Sequence, residues 1–443
     1  MSEARAVKDS GVEWLGEVPQ HWEVRRLGSL GRFTKGAGGS KEDSRDDGVP
    51  VVRYGELYTQ FNLTIDKPYS FIDDEATSRY TPLKKGLLVF TASGEDPAEI
   101  GKAAVSLLDP PAYVGGDTIL FAANTRDADG KFLAYVLDSQ PLRALKAMRS
   151  TGFTVVHISA GALKTLPLPT PPLAEQRAIA DFLDRETAQI DEFVAENERF
   201  IELLTERRAA VIAHAVTKGL DPDAPMRDSG VEWLGEVPET WDVMPVKGAA
   251  RKVTDGAHIS PETDGGEYDF VSTRDVSERG IDFDGSLKTS PATYHYLVRT
   301  GCQPVAGDVL FSKDGTVGVT AVVSESREFV VASSLIIIRP LPRRADSRFL
   351  SWSLGSPGFR EQASTWTRGA GLPRLSVVNL SRLPVAIPPL AEQRAIADYL
   401  DERTARIDEA IATAREGIAL ASERRSALIS AAVTGKIDVG SGS

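Results

Sequence analysis

Residues that could do chemistry are present in this sequence, but their spacing does not match a catalytic site. The stretch Leu108–Tyr113 (LDPPAY) is similar to the Asp-Pro-Pro-Tyr tetrad of adenine methyltransferases, but Ala112 breaks the spacing, and no glycine-rich loop for a methyl donor precedes it. The stretch Gly36–Lys41 (GAGGSK) lacks the spacing of a phosphate-binding loop. The five histidines share no metal-ligand spacing. These patterns indicate a protein that binds rather than catalyses.

The composition favours a cytoplasmic protein. No run of about 18 apolar residues is present, and the first ten residues lack the apolar core of a signal peptide. The single cysteine, Cys302, has no second cysteine with which to form an intramolecular disulfide. We therefore expect Cys302 to be a reduced and passive thiol.

Two stretches of the chain occur twice, almost unchanged. Pro171–Glu192 returns as Pro388–Glu409 with 18 of 22 positions identical, and Asp9–Val24 returns as Asp228–Val243. Between these repeats the sequence diverges. The chain therefore has a constant frame and two variable inserts, and a repeated sequence predicts a repeated structure. We expect Asp9–Val24 to form a turn or short helix whose tryptophans pack on the following domain, with a partner-binding surface as the alternative.

The net charge of −12 does not exclude nucleic acid, because the acid lies mainly on the repeated frame. Residues 25–165 carry 18 Lys and Arg against 17 Asp and Glu, and residues 247–383 carry 17 against 15. Each insert is thus nearly neutral. A local basic face on either insert is compatible with these numbers.

Both inserts are predicted to be mixed α/β. In the first, short β-branched runs predict strands and an apolar periodicity predicts helix over Phe132–Met148. The second follows the same plan, and its loop Arg368–Leu372 corresponds to Thr151–Val155 of the first. The predicted strands of the first insert are Val49–Arg53, Leu87–Thr91, Ala103–Leu107 and Thr118–Phe121.

Each copy of the second repeat opens a long helix. Leu173–Thr217 contains no Gly or Pro, two prolines precede it and Gly219 follows it. About 44 residues give a helix of roughly 66 Å. Apolar residues at coiled-coil spacing predict a seam formed by Ile179, Leu183, Ile190, Val194, Ile201, Leu204 and Val211 in the first helix and Ile396, Leu400, Ile407, Ile411, Ile418 and Leu428 in the second.

The two seams predict an antiparallel coiled coil within one chain, with an approximate two-fold axis relating the halves. Homodimerisation through each helix is the alternative. The fold class is therefore α/β (mixed), with two similar domains separated by two long helices. The predicted boundaries are 1–170 and 220–387 for the domains, 171–219 and 388–436 for the helices, and 437–443 for a C-terminal tail.

The chain resembles the specificity (S) subunits of type I restriction–modification enzymes. The resemblance rests on the paired GVEWLGEVP segments, the paired PPLAEQRAIAD helices, the AVTKG and AVTGKID endings, and GDVLFSKDGTVG at Gly307–Gly318. It implies a non-catalytic subunit whose two target-recognition domains each read one half of a bipartite, asymmetric DNA site. It also implies that the helices set the spacer between the half-sites.

The resemblance further implies partners and cofactors. Two modification subunits would dock on the frame and methylate adenines with S-adenosylmethionine, and restriction subunits would use ATP and Mg²⁺. No cofactor or metal is expected on this chain. A protein-interaction scaffold without DNA specificity is the alternative function, and a stand-alone nuclease or methylase is disfavoured by the missing motifs.

Base-reading residues do not follow from the resemblance, because the target domains are its variable part. Polar and basic residues in glycine-rich loops are the candidates, since these side chains contact base edges and phosphates. They are Lys35, Arg53, Tyr54, Ser93, Arg149, Thr151 and His157 in the first domain, and Arg274, Lys313, Thr316, Arg368 and Arg374 in the second. An ordinary surface or structural role is the alternative for each.

Overall fold

The computed structural model of this chain describes residues 6–264, 266–369 and 373–439. Two compact units are present. Unit 1 comprises Met1–Asn197 with Glu416–Ser443, and unit 2 comprises Glu198–Arg415. Each unit contains strands, short helices and a segment of each long helix, so the predicted mixed α/β class is confirmed. Of the predicted tail, residues 440–443 lie outside the described residues.

Unit 1 is built on two five-stranded sheets. Their strand orders are β4-β14-β10-β12-β7 and β5-β8-β6-β13-β9. The strands are β1 (Val7–Asp9), β2 (Glu17–Pro19), β3 (Glu23–Arg26), β4 (Gly31–Lys35), β5 (Ser44–Arg45), β6 (Val49–Val52), β7 (Thr64–Ile65), β8 (Ser70–Ile72), β9 (Thr81–Leu83), β10 (Leu88–Thr91), β11 (Ser93–Gly94), β12 (Ala103–Ser106), β13 (Ala112–Val114), β14 (Thr118–Ala123), β15 (Val156–His157) and β16 (Pro167–Thr170). The short helices are α1 (Tyr54–Thr59), α2 (Gly130–Asp138), α3 (Gln140–Met148) and α4 (Ala160–Lys164).

Unit 2 repeats this plan with smaller sheets, ordered β20-β28-β25-β26 and β24-β21-β27. Its strands are β17 (Met226–Asp228), β18 (Glu236–Pro238), β19 (Asp242–Pro245), β20 (Ala250–Asp255), β21 (Tyr268–Val271), β22 (Val276–Ser277), β23 (Gly280–Ile281), β24 (Leu287–Thr289), β25 (Val309–Ser312), β26 (Thr320–Val322), β27 (Phe329–Val331), β28 (Leu335–Pro340) and β29 (Pro384–Ile387). Its short helices are α6 (Val246–Ala249), α7 (Pro291–Arg299), α8 (Ser347–Leu354), α9 (Pro357–Thr365) and α10 (Val377–Arg382).

Each strand of the two main sheets of unit 2 has a counterpart in unit 1. The order β4-β14-β10-β12 of unit 1 matches β20-β28-β25-β26 of unit 2, and β8-β6-β13 matches β24-β21-β27. The parallel pairing is also shared: β6 is parallel to β13 in unit 1, and β21 is parallel to β27 in unit 2. Similar folds therefore underlie inserts whose sequences have diverged.

The helical region predicted over Phe132–Met148 is two helices rather than one. Helix α2 ends at Asp138, Ser139 is extended with ψ 144°, and Pro141 lies in the first turn of α3. Proline is accommodated in a first turn because its missing N–H has no helical partner there, but it would have broken a continuous helix.

The repeated Asp9–Val24 segment contains the predicted turn, at residues 13–15, but the turn connects two strands of a β-hairpin that was not predicted. Strand β1 pairs with β2 in the register Val7↔Pro19, and β17 pairs with β18 in unit 2. Glycines with positive φ at positions 11 and 16 allow the chain to reverse between the strands. Trp22 and its counterpart Trp241 are 0% and 1% exposed, which confirms that these tryptophans pack in the core.

The long helices are α5 (Leu173–Lys218, 46 residues) and α11 (Leu390–Val433, 44 residues). The start of α5 shares unit 1 with the end of α11, and the end of α5 shares unit 2 with the start of α11. The helices therefore run antiparallel, and the predicted intramolecular pair is confirmed. One ion pair joins them in each unit, Asp191–Arg425 in unit 1 and Arg208–Asp408 in unit 2, both at 2.9 Å.

The thirteen predicted seam residues differ in burial. The buried ones are Ile179, Leu183, Ile190, Ile396, Leu400, Ile407 and Ile411, and the partly buried ones are Val194, Ile201, Leu204, Val211, Ile418 and Leu428. Near the helix ends Ile212 and Ile429, which the pattern did not include, are 4% and 2% exposed. A straight helix drifts relative to a strict seven-residue repeat, and these ends also pack against the hydrophobic core of their unit.

A buried glutamine fastens the start of each long helix to its unit. The Gln176 side chain accepts a hydrogen bond from Asp129 N (2.9 Å) and donates to the carbonyl oxygens of Asp127 (2.9 Å) and Pro171 (2.8 Å). Asp129 in turn caps α2, since its carboxylate accepts from two backbone N–H groups of the first turn. The long helix and α2 therefore share one hydrogen-bonded joint.

The counterpart in unit 2 is Gln393. Its amide accepts from Asp346 N (2.7 Å) and donates to the carbonyl oxygens of Arg344 (2.7 Å) and Pro388 (2.8 Å). Asp346 caps α8 in the same way. Gln176 and Gln393 are 1% and 0% exposed, so water does not replace these bonds.

Among the described residues, no helix is sufficiently long and apolar to span a membrane.

Replacing either glutamine by leucine should loosen one unit only. Gln176→Leu leaves one N–H and two carbonyl groups without their partner, and we expect a loss of about 3 kcal/mol or more in the stability of unit 1. Hydrogen exchange measured by mass spectrometry should rise at residues 126–138 and 171–180 in this variant. Gln393→Leu should instead raise exchange at residues 343–354 and 388–397.

Gln60→Leu, at an exposed position, is the control for the substitution itself. The joint is refuted if Gln176→Leu exchanges no faster than Gln60→Leu in these segments.

Candidate nucleic-acid interface

A short closed loop, Thr151–His157, brings together three of the candidate residues of unit 1. The backbone of Thr151 exchanges two hydrogen bonds with that of His157, at 2.9 and 2.8 Å. Strand β15 then pairs with β11 in the register Ser93↔His157. The Ser93 hydroxyl lies 2.9 Å from His157 Nδ1. We call residues 151–157 closed loop 1; its base presents a hydroxyl and an imidazole side by side.

The other candidates of unit 1 occupy neighbouring segments. Lys35 is exposed at the end of β4, and the glycine that follows it donates its N–H to Thr118 O (2.9 Å). Asp117, next in the chain to Thr118, accepts from the Ser93 hydroxyl at 3.4 Å. Lys35 and closed loop 1 are therefore linked through one turn.

Helix α1 places two further candidates near the same turn. Arg53 precedes the helix and Tyr54 begins it, and Tyr54 is 42% exposed. Tyr58 of this helix donates to Thr91 Oγ1 (2.7 Å) and Ser93 O (3.0 Å). Arg149 follows α3 and donates to Thr165 Oγ1 at 2.8 Å.

Unit 2 contains an equivalent loop, Arg368–Arg374, which we call closed loop 2. Arg368 and Arg374 exchange two backbone hydrogen bonds, at 3.0 and 2.9 Å. The predicted correspondence with Thr151–Val155 agrees with this closure, although Ala370–Leu372 lie outside the described residues. Arg374 forms two hydrogen bonds to the carboxylate of Asp314, at 2.8 and 2.9 Å. A guanidinium here occupies the position that the His157 imidazole occupies in unit 1.

Lys313 lies inside unit 2 and not on its surface, contrary to its selection as a DNA-facing side chain. It is 4% exposed, and its ammonium donates to Asp255 at 2.6 Å. His258 Nε2 lies 2.7 Å from the same carboxylate. Burial alone would raise the pKa of Asp255, but the hydrogen bonds with Lys313 and His258 hold it below its usual value. The sequence did not reveal this pairing because 58 residues separate the partners.

The remaining candidates of unit 2 surround Lys313. Thr316 is exposed on the turn after β25. Arg274 has a 59% exposed side chain and lies 3.3 Å from Asp275. Its neighbour Thr273 donates its backbone N–H to the Ser334 hydroxyl oxygen at 3.3 Å, and Lys313 N donates to Ser334 O at 2.9 Å. The loops that carry Arg274, Lys313 and Arg374 are thus adjacent.

Sequence reasoning missed the acids that bond these candidate residues. Asp117, Asp255 and Asp314 each bond a candidate or its neighbour, and no motif marks them. It also missed Trp366, which is 46% exposed just before closed loop 2 and accepts from the Asn379 amide through its carbonyl, at 3.2 Å.

Within the described ranges, no group of three His, Cys, Asp or Glu side chains could hold a metal ion. Cys302 is buried, at 5% exposure.

Two equivalent α/β units, each with a polar closed loop and a joint to an antiparallel helix pair, define a duplicated binding protein. The chain belongs to the family described as the type I restriction modification DNA specificity domain, whose model matches residues 19–198 and 238–415. The predicted family is thereby confirmed, and with it the prediction that the chain is a specificity subunit rather than an enzyme.

Curated relatives match over nearly their whole length. The putative type I restriction enzyme MjaX specificity subunit of Methanocaldococcus jannaschii is 23% identical, over 96% of this chain and 96% of the relative. The type I restriction enzyme EcoBI specificity subunit of Escherichia coli is 22% identical, over 98% and 90%.

Solved structures share the fold. A structure reported as the basis of complex assembly and conformational transition of the type I R-M system matches with a TM-score of 0.71 and 17% identity, covering 95% of this chain and 99% of that one. The crystal structure of the HsdS subunit from Thermoanaerobacter tengcongensis gives a TM-score of 0.52 and 18% identity, with 95% and 98% covered.

The Asp255–Lys313 pair should be strongly coupled. Asp255→Ala leaves a buried ammonium without its partner, and we expect it to destabilise unit 2 by about 3 kcal/mol. The double variant Asp255→Ala/Lys313→Met should recover most of that loss, because no charge then remains buried. Thermal unfolding of the single and double variants measures the coupling.

Glu402→Ala is the control, since it removes an exposed ion pair with Arg406 and should change stability by about 1 kcal/mol or less. Additive effects of Asp255→Ala and Lys313→Met would contradict the predicted coupling.

Proposed function

We propose that this chain is the DNA-recognition subunit of a type I restriction–modification complex. Each target-recognition domain, residues 1–170 and 220–387, binds one half of a bipartite, asymmetric duplex site. One observation carries the proposal: the two closed loops have the same backbone closure, yet one presents Ser93 and His157 and the other presents Asp314 and Arg374. Equivalent loops with different hydrogen-bonding groups suit the reading of two different sequences.

The chemistry of the loops fits base edges in the major groove. A guanidinium pairs with the two acceptors of guanine, whereas a hydroxyl or imidazole exchanges hydrogen bonds with several base edges. Arg368 and Arg374 are the principal candidates in the second domain, and Thr151 and His157 in the first. Lys35, Arg274 and Arg149 suit phosphate contacts, which set register and orientation. Lys313 is buried and bonded to Asp255, so we assign it no contact with DNA.

The helix pair sets the distance between the two half-sites. An α-helix of 46 residues is about 69 Å long, and half-sites that lie at a fixed spacing require a rigid separator. Gln176 and Gln393 support this role, because each fixes a helix start to its unit.

The repeated frame offers two equivalent docking surfaces, so we propose that two modification subunits bind it. S-adenosylmethionine would be bound by those subunits, and ATP and Mg²⁺ by restriction subunits that join them. The specificity subunit itself carries no cofactor in this proposal. The complex would act on cytoplasmic DNA.

Deleting the gene for this chain should abolish N6-methyladenine at one gapped, asymmetric motif. Exchanging residues 25–165 for those of a relative should then change one half of that motif and leave the other half unchanged. Sequencing of host DNA for methylated adenine measures both results. Restoration with the unmodified chain is the control.

An unchanged methylome after deletion would refute the proposal and favour a scaffold without DNA specificity.

Lengthening both long helices together should lengthen the spacer. Seven residues inserted after Asn197 and seven after Arg415 add two turns to each helix, about 10 Å, and preserve the seven-residue repeat of the seam. We expect a spacer longer by about three base pairs, at roughly 3.4 Å each. The half-site bases should not change.

Insertion into α5 alone is the control, since the ion pairs Asp191–Arg425 and Arg208–Asp408 cannot then both keep their register, and it should impair stability. Altered half-site bases in the double insertion would contradict the spacer role.

A further inference from the structure

Phe153 is wholly exposed at closed loop 1. An exposed phenylalanine ring contributes no burial to the core, and its contact with water is unfavourable. Val155, 45% exposed, lies beside it in the loop, and Met148, 81% exposed, ends the preceding helix α3. The apolar groups are therefore next to the hydrogen-bonding groups of the loop base.

The loop that carries Phe153 is held at both ends. The paired hydrogen bonds between Thr151 and His157 close it, and Val156, 2% exposed, anchors its second side in the core. Gly152 has φ +108°, and a side chain there would place its Cβ 2.1 Å from Val155 O. Glycine is thus required for the turn that carries the ring. A closed backbone restricts the directions in which the ring points.

Unit 2 also presents an exposed aromatic side chain beside its closed loop. Trp366 follows α9 directly and precedes Arg368 by two residues. Its side chain is 46% exposed. Two units with diverged sequences thus both place an aromatic ring next to the polar groups of an equivalent loop, although at different positions in it.

We propose that Phe153 is a wedge that stacks on or enters a base-pair step of the DNA half-site bound by unit 1. The inference rests on the proposed function. A single ring is too small for a protein interface, which buries about 800 Å² on each partner, but it matches the area of a base. Apolar side chains inserted between base steps unstack and kink duplex DNA. The polar groups of Ser93, Thr151 and His157 lie at the loop base, where they would contact the base edges and phosphates that flank the step.

The test uses the full chain assembled with its modification subunits. The probe is a duplex of the gapped motif found by methylome sequencing, with 2-aminopurine in place of one adenine at a time. Fluorescence of 2-aminopurine rises when the base loses its stacked neighbours. We expect a rise at one step in the half-site bound by unit 1, and loss of that rise in Phe153→Ala. Affinity for the duplex should fall roughly 5- to 150-fold, the range for loss of one stacked base.

Phe153→Trp should restore both the signal and the affinity, since it keeps an aromatic face. Tyr296→Ala, at a 47% exposed ring outside the closed loops, is the matched control and should change neither. Phe153→Ala should unfold at the same temperature as the unmodified chain, because the ring it removes is not packed. 2-Aminopurine placed in the half-site bound by unit 2 should give the same fluorescence in all variants.

Two results would overturn the wedge separately from the proposed function. Specific binding with no 2-aminopurine signal, and with full affinity in Phe153→Ala, refutes the wedge and leaves the DNA-recognition role standing. Loss of modification subunits from the Phe153→Ala complex, with no direct effect on DNA, assigns the ring to a protein contact. Absence of specific binding by the unmodified complex refutes both proposals.

Discussion

The structure depends on the two buried amides that begin the long helices. Gln176 and Gln393 are buried, and each satisfies one N–H and two carbonyl groups of the backbone. The glutamine amide supplies two N–H donors and a carbonyl acceptor from one planar group, which neither an ionised glutamate nor a leucine provides. Arg177 and Arg394, the next residues, lie 4.0 and 3.9 Å from the same capping aspartates. The repeated pair Gln-Arg is therefore explained by a joint between helix and domain.

The joint and the closed loops divide the chain into parts that must stay constant and parts that are free to change. Closed loops 1 and 2 are shut by main-chain hydrogen bonds, which any residue except proline supplies. Side chains at their bases therefore differ without loss of the loop. The glutamine joint has no such freedom, because its hydrogen bonds come from the side chain. This contrast accounts for an unchanged frame around two divergent inserts.

Much of the architecture was predictable from the sequence because its signals are local or repeated. The absence of Gly and Pro between Leu173 and Thr217 predicts one helix, and the correspondence of Arg368–Leu372 with Thr151–Val155 predicts equivalent loops in the two units. The hairpin of β1 and β2 was missed, since strands of three residues leave almost no periodicity.

The candidate site was predictable only in outline. Lys313 reads as a surface residue because its partner Asp255 belongs to another strand, and nothing in the local sequence indicates that they meet. The role of Gln176 was hidden for a different reason: its partners are backbone groups, which have no residue type to recognise. Phe153 gave no periodic signal, and its exposure follows from the turn at Gly152.

The composition of unit 1 has a consequence for the order in which the protein is made. Its core includes Ile179 and Leu183 from α5 together with Ile429 and Val433 from α11. A ribosome produces the first pair long before the second, so the part of this core that α11 supplies is absent during synthesis of all of unit 2. Unit 2 has no such delay, because its residues are contiguous. The half of the protein that is translated first is therefore the half that completes its folding last.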